Sequence, residues 1–169
     1  MANVIRNQRI VDNNKRNLTK VVIYSDGSEE ANTRIIDASN LQFSLNANGY
    51  IMSGNTHTKS NYRTTVKRIT GTSSGTDSHI RLQWEGDANS EIITFGQGNF
   101  DFDFQSMGDG AVISNPEANA TGDVLISTSG LDAGDTITLF IDLRKDSRDY
   151  DAGQTADPTA FNRGPAAGP

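Results

Sequence analysis

Period-two alternation is the property of this chain that most narrows its fold. Over 136–143, Ile137, Leu139, Ile141 and Leu143 alternate with Thr136, Thr138, Phe140 and Asp142. Successive side chains of a strand point to opposite faces, so this run lines one face with aliphatic groups. Phe140 is out of phase with them and is expected at an edge or an interface. Ile80, Leu82 and Trp84 alternate in the same way with His79, Arg81 and Gln83, and Phe100, Phe102 and Phe104 alternate with Asp101 and Asp103. Further strands are expected over 4–11, 18–24, 33–37, 62–70, 90–95 and 124–129. Turn signals separate them, among them Ser25-Asp26-Gly27-Ser28, Asn48-Gly49, Ser53-Gly54-Asn55, Gly96-Gln97-Gly98-Asn99, Gly108-Asp109-Gly110, Thr121-Gly122-Asp123 and Ala133-Gly134-Asp135. Many short strands at this spacing predict an all-β fold, an antiparallel β-sandwich or a jelly-roll-like domain. Only 37–46 competes as a short helix, with Asp37 or Ser39 as its cap.

A second feature is a break in composition near Lys145. The 169 residues suit one domain, and the alternation ends at Arg144-Lys145. Beyond that point Tyr150 and Phe161 are the large apolar side chains, while Pro158, Pro165 and Pro169 each remove a backbone donor. A segment that cannot bury itself is disordered or lies along another molecule. The expected organisation is a β-sandwich domain over 1–145 and an extended C-terminal arm over 146–169.

Charge bounds the partners. The formal net charge is −6, which argues against a general polyanion binder. Yet Arg6, Arg9, Lys15, Arg16 and Lys20 meet only Asp12 within the first twenty residues. That asymmetry orients a protein on an acidic surface, or it reflects a solvated strand face. The nearest approach to a nucleic-acid stripe, Tyr62-Arg63-Thr64-Thr65-Val66-Lys67-Arg68, has a single aromatic, so no nucleic-acid partner is expected. No run approaches a membrane span and 1–11 lacks the apolar core of a signal peptide, so synthesis in a cytoplasm is expected and no membrane partner.

Catalytic chemistry has few candidates. The chain has no cysteine, which removes disulfides, thiolate nucleophiles and Cys-ligated zinc. His57 and His79 are the only imidazoles; His79 alternates outward with Arg81 and Gln83, and His57 lies in a polar stretch without a Gly-x-Ser-x-Gly elbow. Asp101 and Asp103 share a strand face, but a glycosidase cleft also needs aromatic platforms, and Trp84 points with the core residues. Calcium ligands in 108–110 or 146–151 lack the ordered loop of acidic residues and distal Glu. No enzyme and no cofactor is expected. Carbohydrate binding through loops stays open.

The opening Asn3-Val4-Ile5-Arg6-Asn7-Gln8-Arg9-Ile10-Val11-Asp12-Asn13-Asn14-Lys15-Arg16 and the closing Leu139-Phe140-Ile141-Asp142-Leu143-Arg144-Lys145-Asp146-Ser147-Arg148-Asp149-Tyr150-Asp151 resemble small virion structural proteins of tailed bacteriophages, particularly marine ones. The resemblance lies in overall character and these two segments. It implies a β-sandwich carried in many copies on the particle, most simply a capsid decoration or cement protein that binds the major capsid protein or other virion subunits as a homo-oligomer or symmetric array. Such a protein is made in the host cytoplasm and resides in the virion. A tail, neck or baseplate subunit, or a carbohydrate-binding module, are the alternatives. The expected partner contacts are Arg6, Arg9, Lys15 and Arg16, which steer the protein to an acidic shell, and Tyr150 and Phe161, which anchor the arm in pockets of a neighbour.

Overall fold

The computed structural model describes residues 2–46, 61–107, 113–116 and 119–150. His57, Phe161, the turns at 48–49, 53–55 and 108–110, and the arm from 151 onward lie outside the described residues. Ten strands form: β1 (Val4–Asp12), β2 (Arg16–Asp26), β3 (Thr33–Ile36), β4 (Thr64–Ser73), β5 (His79–Trp84), β6 (Ser90–Phe95), β7 (Gly98–Asp103), β8 (Ile113–Ser114), β9 (Val124–Ser129) and β10 (Ala133–Lys145). The helical alternative at 37–46 reduces to one 3-10 turn, Ala38–Asn40, whose N–H groups at Ser39 and Asn40 are accepted by the Asp37 carboxylate.

One sheet runs β1-β2-β10-β4-β7, with β8 also on β4, and the other runs β3-β9-β5-β6. Every pairing is antiparallel. Apart from the hairpins β1–β2 and β5–β6 and the short β8, the chain changes sheet at each connection. The orders β2-β10-β4-β7 and β3-β9-β5-β6 are those of a double Greek key, so the domain is a jelly-roll sandwich. The aliphatic phase of each strand decides which face turns inward. Val21, Ile23, Ile69, Ile137, Leu139 and Ile141 from the larger sheet meet Ile80, Leu82, Trp84, Val124 and Ile126 from the smaller one, all wholly buried. Each such side chain stabilises the fold by about 1.5–3 kcal/mol. Phe95 on β6 and Phe100 on β7, with ring centroids 4.1 Å apart, close the sandwich along one edge.

The connections divide by end. Those after β2, β4, β6 and β9 are short and interlock: Ser74 N–H donates to Thr136 O at 3.0 Å, and Gly130 passes close over Asp77. The opposite end carries the β1–β2 turn, the long connections after β3 and β7, and the C-terminal residues. There Lys145 N–H donates to Lys15 O at 2.9 Å and Tyr62 N–H to Thr121 O at 3.1 Å.

The expected boundary after Lys145 moves. Leu45 N–H donates to Asp149 O at 2.9 Å, Ser44 bridges Tyr150, and both Asp149 and Tyr150 are wholly buried. Residues 146–150 therefore belong to the domain, because the Tyr150 ring and the Asp149 carboxylate both find partners inside it.

Candidate interaction surfaces

At the long-connection end, the last strand delivers a charge into the interior. Lys145 Nζ is fully buried; it pairs with Asp12, donates to Gln42 O at 2.9 Å and lies 4.9 Å above the Tyr150 ring. Burial pulls the Lys145 pKa down, and the Asp12 carboxylate opposes that pull. The Tyr150 hydroxyl donates to Ala38 O at 2.8 Å, the Tyr62 hydroxyl donates to Leu45 O at 2.8 Å, and the two rings lie 5.5 Å apart. Burial, then the nearby Asp149 charge, pushes the Tyr62 phenol up to about 12. Asp149 is gripped by Arg63, whose backbone N and Nε both donate at 2.7 Å and whose Nη2 donates at 2.9 Å.

These contacts correct the expectation for Tyr150. Its ring is an anchor, but in this chain's own core, so it is not presented to a neighbour. They also occupy two of the acids considered for calcium, since Asp146 is bonded by Arg148 as Asp149 is by Arg63; Asp109 and Asp151 lie outside the described residues. Tyr62 of the basic stripe is buried likewise, and Arg68 pairs with Asp101.

A second ionic cluster sits beside the first. Arg34 on β3 reaches Asp123 at 2.9 Å, Glu85 at 3.1 Å and Asp37 at 3.7 Å, one guanidinium among three carboxylates. Asp123 also accepts the Ala38 N–H at 2.8 Å. Burial pushes the Asp123 carboxyl up to about 7, the Ala38 N–H pulling against it and the Glu85 carboxylate adding to the rise.

The four basic residues singled out in the sequence all fall along the β1–β2 hairpin, but not on one face. Arg6 pairs in register with Val22, on the outer face of the larger sheet; Arg9 pairs with the buried Thr19 and turns toward Asp12, 3.5 Å away. Lys15 is exposed in the turn, and Arg16 is held by Asp142 through two hydrogen bonds of 2.8 Å. Beside them lies an apolar row that the sequence signalled only through its phase. Val4 and Tyr24 are opposite each other and about half exposed, next to Val22, and Lys20 lies 5.9 Å over the Phe140 ring. Phe140 is thus on the outer face, as its phase required. Tyr24 was legible too, being out of step with Val21 and Ile23.

The outer face of the smaller sheet is different in kind. A groove of about 470 Å³ runs over β9, β5 and β6 between the 29–32 segment and Glu91, with His79, Arg81 and Ser127 on its floor. His79 is solvent-facing, as its alternation predicts. Among the described residues, no three His, Cys, Asp or Glu side chains are grouped to hold a metal ion. Comparisons with protein-family models, with curated proteins and with solved structures find no match to this chain.

Proposed function

We propose that this chain is a non-enzymatic virion structural protein of the capsid decoration or cement type, binding the phage head shell in many copies and stabilising it. One observation carries the reading: charge and chain exit are polarised along the sandwich. The short-connection end, residues 26–32, 74–78, 96–97 and 130–135, holds Asp26, Glu29, Glu30, Asp77, Asp132 and Asp135 and no Lys or Arg. The opposite end holds both signs among the described residues: Asp12, Asp37, Glu85, Asp123, Asp146 and Asp149 are each paired with a Lys or Arg, Asp87 is bonded to Asn119, and Lys15 and Arg144 face solvent. Tyr150, after which residues 151–169 follow, is anchored there. A rigid body with an acid-only end, and with exposed cations beside the last described residue at the other, suits end-on docking to an acidic surface. Its packed apolar interior leaves surfaces as the place where it acts. Jelly rolls serve in capsids and in lectins alike, so the fold alone does not choose between them.

The partner in this reading is the major capsid protein or another virion subunit. Shells assembled without this protein provide the test, by sedimentation with the purified chain at increasing salt. Binding is expected to weaken with salt, to fall at least about tenfold with Lys15→Glu and Arg144→Glu together, and to fall again when 151–169 are removed. Unchanged occupancy in both variants overturns the reading. Copy number on the virion separates head from tail, neck or baseplate: decoration requires a count that scales with the shell subunits, whereas a ring requires the count of its symmetry.

A further inference from the structure

We propose that the outer face of the larger sheet docks into the outer groove of the smaller sheet on a second copy of this chain, head to tail. The two faces differ in charge and shape in complementary ways. On the larger sheet, the cations Arg6 and Lys20 have no carboxylate partner among the described residues, while Arg16 and Arg68 are each neutralised by an aspartate. They flank an apolar row whose most prominent member is Tyr24, half exposed, with Val4 beside it. On the smaller sheet, the groove is acidic at its rim, where Glu29, Glu30 and Glu91 outnumber the one Arg81 on its floor, and the rest of the floor is polar. Tyrosine suits such a site because its ring contributes contact area while its hydroxyl bonds to polar groups.

Charge also decides against the symmetric alternatives. A face packed on its own copy sets Arg6 and Lys20 against the same cations, and a groove on a groove sets Glu29 and Glu91 against the same anions; both arrangements are repulsive. The remaining arrangement joins unlike faces, a heterologous contact that propagates into a ring or an open array. Both faces lie on the flanks of the sandwich, away from the end that carries Lys15 and Arg144, so the contact runs sideways between copies. It is read from the two faces alone and needs no shell.

Analytical ultracentrifugation of the full chain over a concentration series tests it. Association beyond the monomer is expected, weakening as salt is raised. Tyr24→Ser, which removes the knob, and Thr94→Trp, which fills the groove, are each expected to weaken self-association at least about tenfold, with thermal midpoints close to the parent because both side chains are exposed on outer faces. An equimolar mixture of the two variants retains one intact face and one intact groove, and it is expected to give a 1:1 complex and nothing larger. A parent that stays monomeric to millimolar concentration overturns the proposal. So does either variant associating like the parent, or a mixture that yields only monomers. Binding of soluble oligosaccharide by a monomeric parent, lost in Thr94→Trp, assigns the groove to a glycan and equally overturns the contact.

Discussion

Tyr150 is held by its ring and by its hydroxyl: the ring packs against Tyr62 and under the Lys145 ammonium, and the hydroxyl donates to Ala38 O. Tyr150→Ala empties a wholly buried aromatic site and is expected to cost about 3–5 kcal/mol in urea unfolding. Tyr150→Phe keeps the ring and loses one buried hydrogen bond, with an expected cost of about 1–2 kcal/mol. Asp123 makes a prediction in pH. Its folded carboxyl is raised to about 7, above the ordinary unfolded value near ~3.9, so the native state holds that proton more tightly. The stabilisation is complete below pH ~4 and is lost as pH rises through about 7. Asp123→Asn, which keeps an acceptor for the Ala38 N–H and cannot ionise, is expected to remove that loss. The difference in stability between parent and variant, followed by chemical unfolding from about pH 4 to 8, should shift steadily in the variant's favour. A difference independent of pH refutes the assignment.

At the scale of elements, β4 and β10 are joined at a point that admits no side chain. A Cβ on Gly71 would lie 2.1 Å from Thr138 O and 2.8 Å from the Phe100 ring. Gly71 is what allows β10 and Phe100 of β7 to close on β4 together. Gly71→Ala is expected to cost about 3 kcal/mol and to shift the β4–β10 register, visible as lost amide protection along β10. The strands themselves were legible, since 90–95 and 124–129 coincide with β6 and β9 and the remaining principal strands differ from expectation by a few residues at their ends. Alternation is a local property, and both faces of these strands meet contrasting surroundings, so the pattern survives in the chain. The two-residue β8 was not legible, because Ile113–Ser114 is too short to show a period.

For the whole molecule, the position of the domain's end is the sharpest prediction. A chain cut after Tyr150 is expected to unfold at the same urea midpoint as the full chain. A chain cut after Lys145 loses Tyr150 and also the carboxylate that grips Arg63, and it is expected to be less stable by at least about 3–5 kcal/mol. Equal stability of the two truncations contradicts the placement of 146–150 inside the fold. The candidate surfaces were only partly legible for the same reason that the boundary was misplaced. Arg6, Arg9, Lys15 and Arg16 are neighbours in the chain, but strand alternation and a register shift between Arg9 and Val11 send them to different faces.

Residue order alone carries the all-β class, the inward phase of nearly every strand, the outward setting of His79 and Phe140, and the excess of cations near the start of the chain. These follow from spacing along one segment, where the physics is that of a strand with one dry face. Only long-range packing sets the jelly-roll strand order, the burial of Lys145 and Tyr150, the single guanidinium among Asp37, Glu85 and Asp123, and the separation of an acid-only end from one of mixed charge. Each of these depends on which distant segments meet. A side chain's partner, and with it the balance between burial and exposure, is set by that meeting and not by the residues next to it.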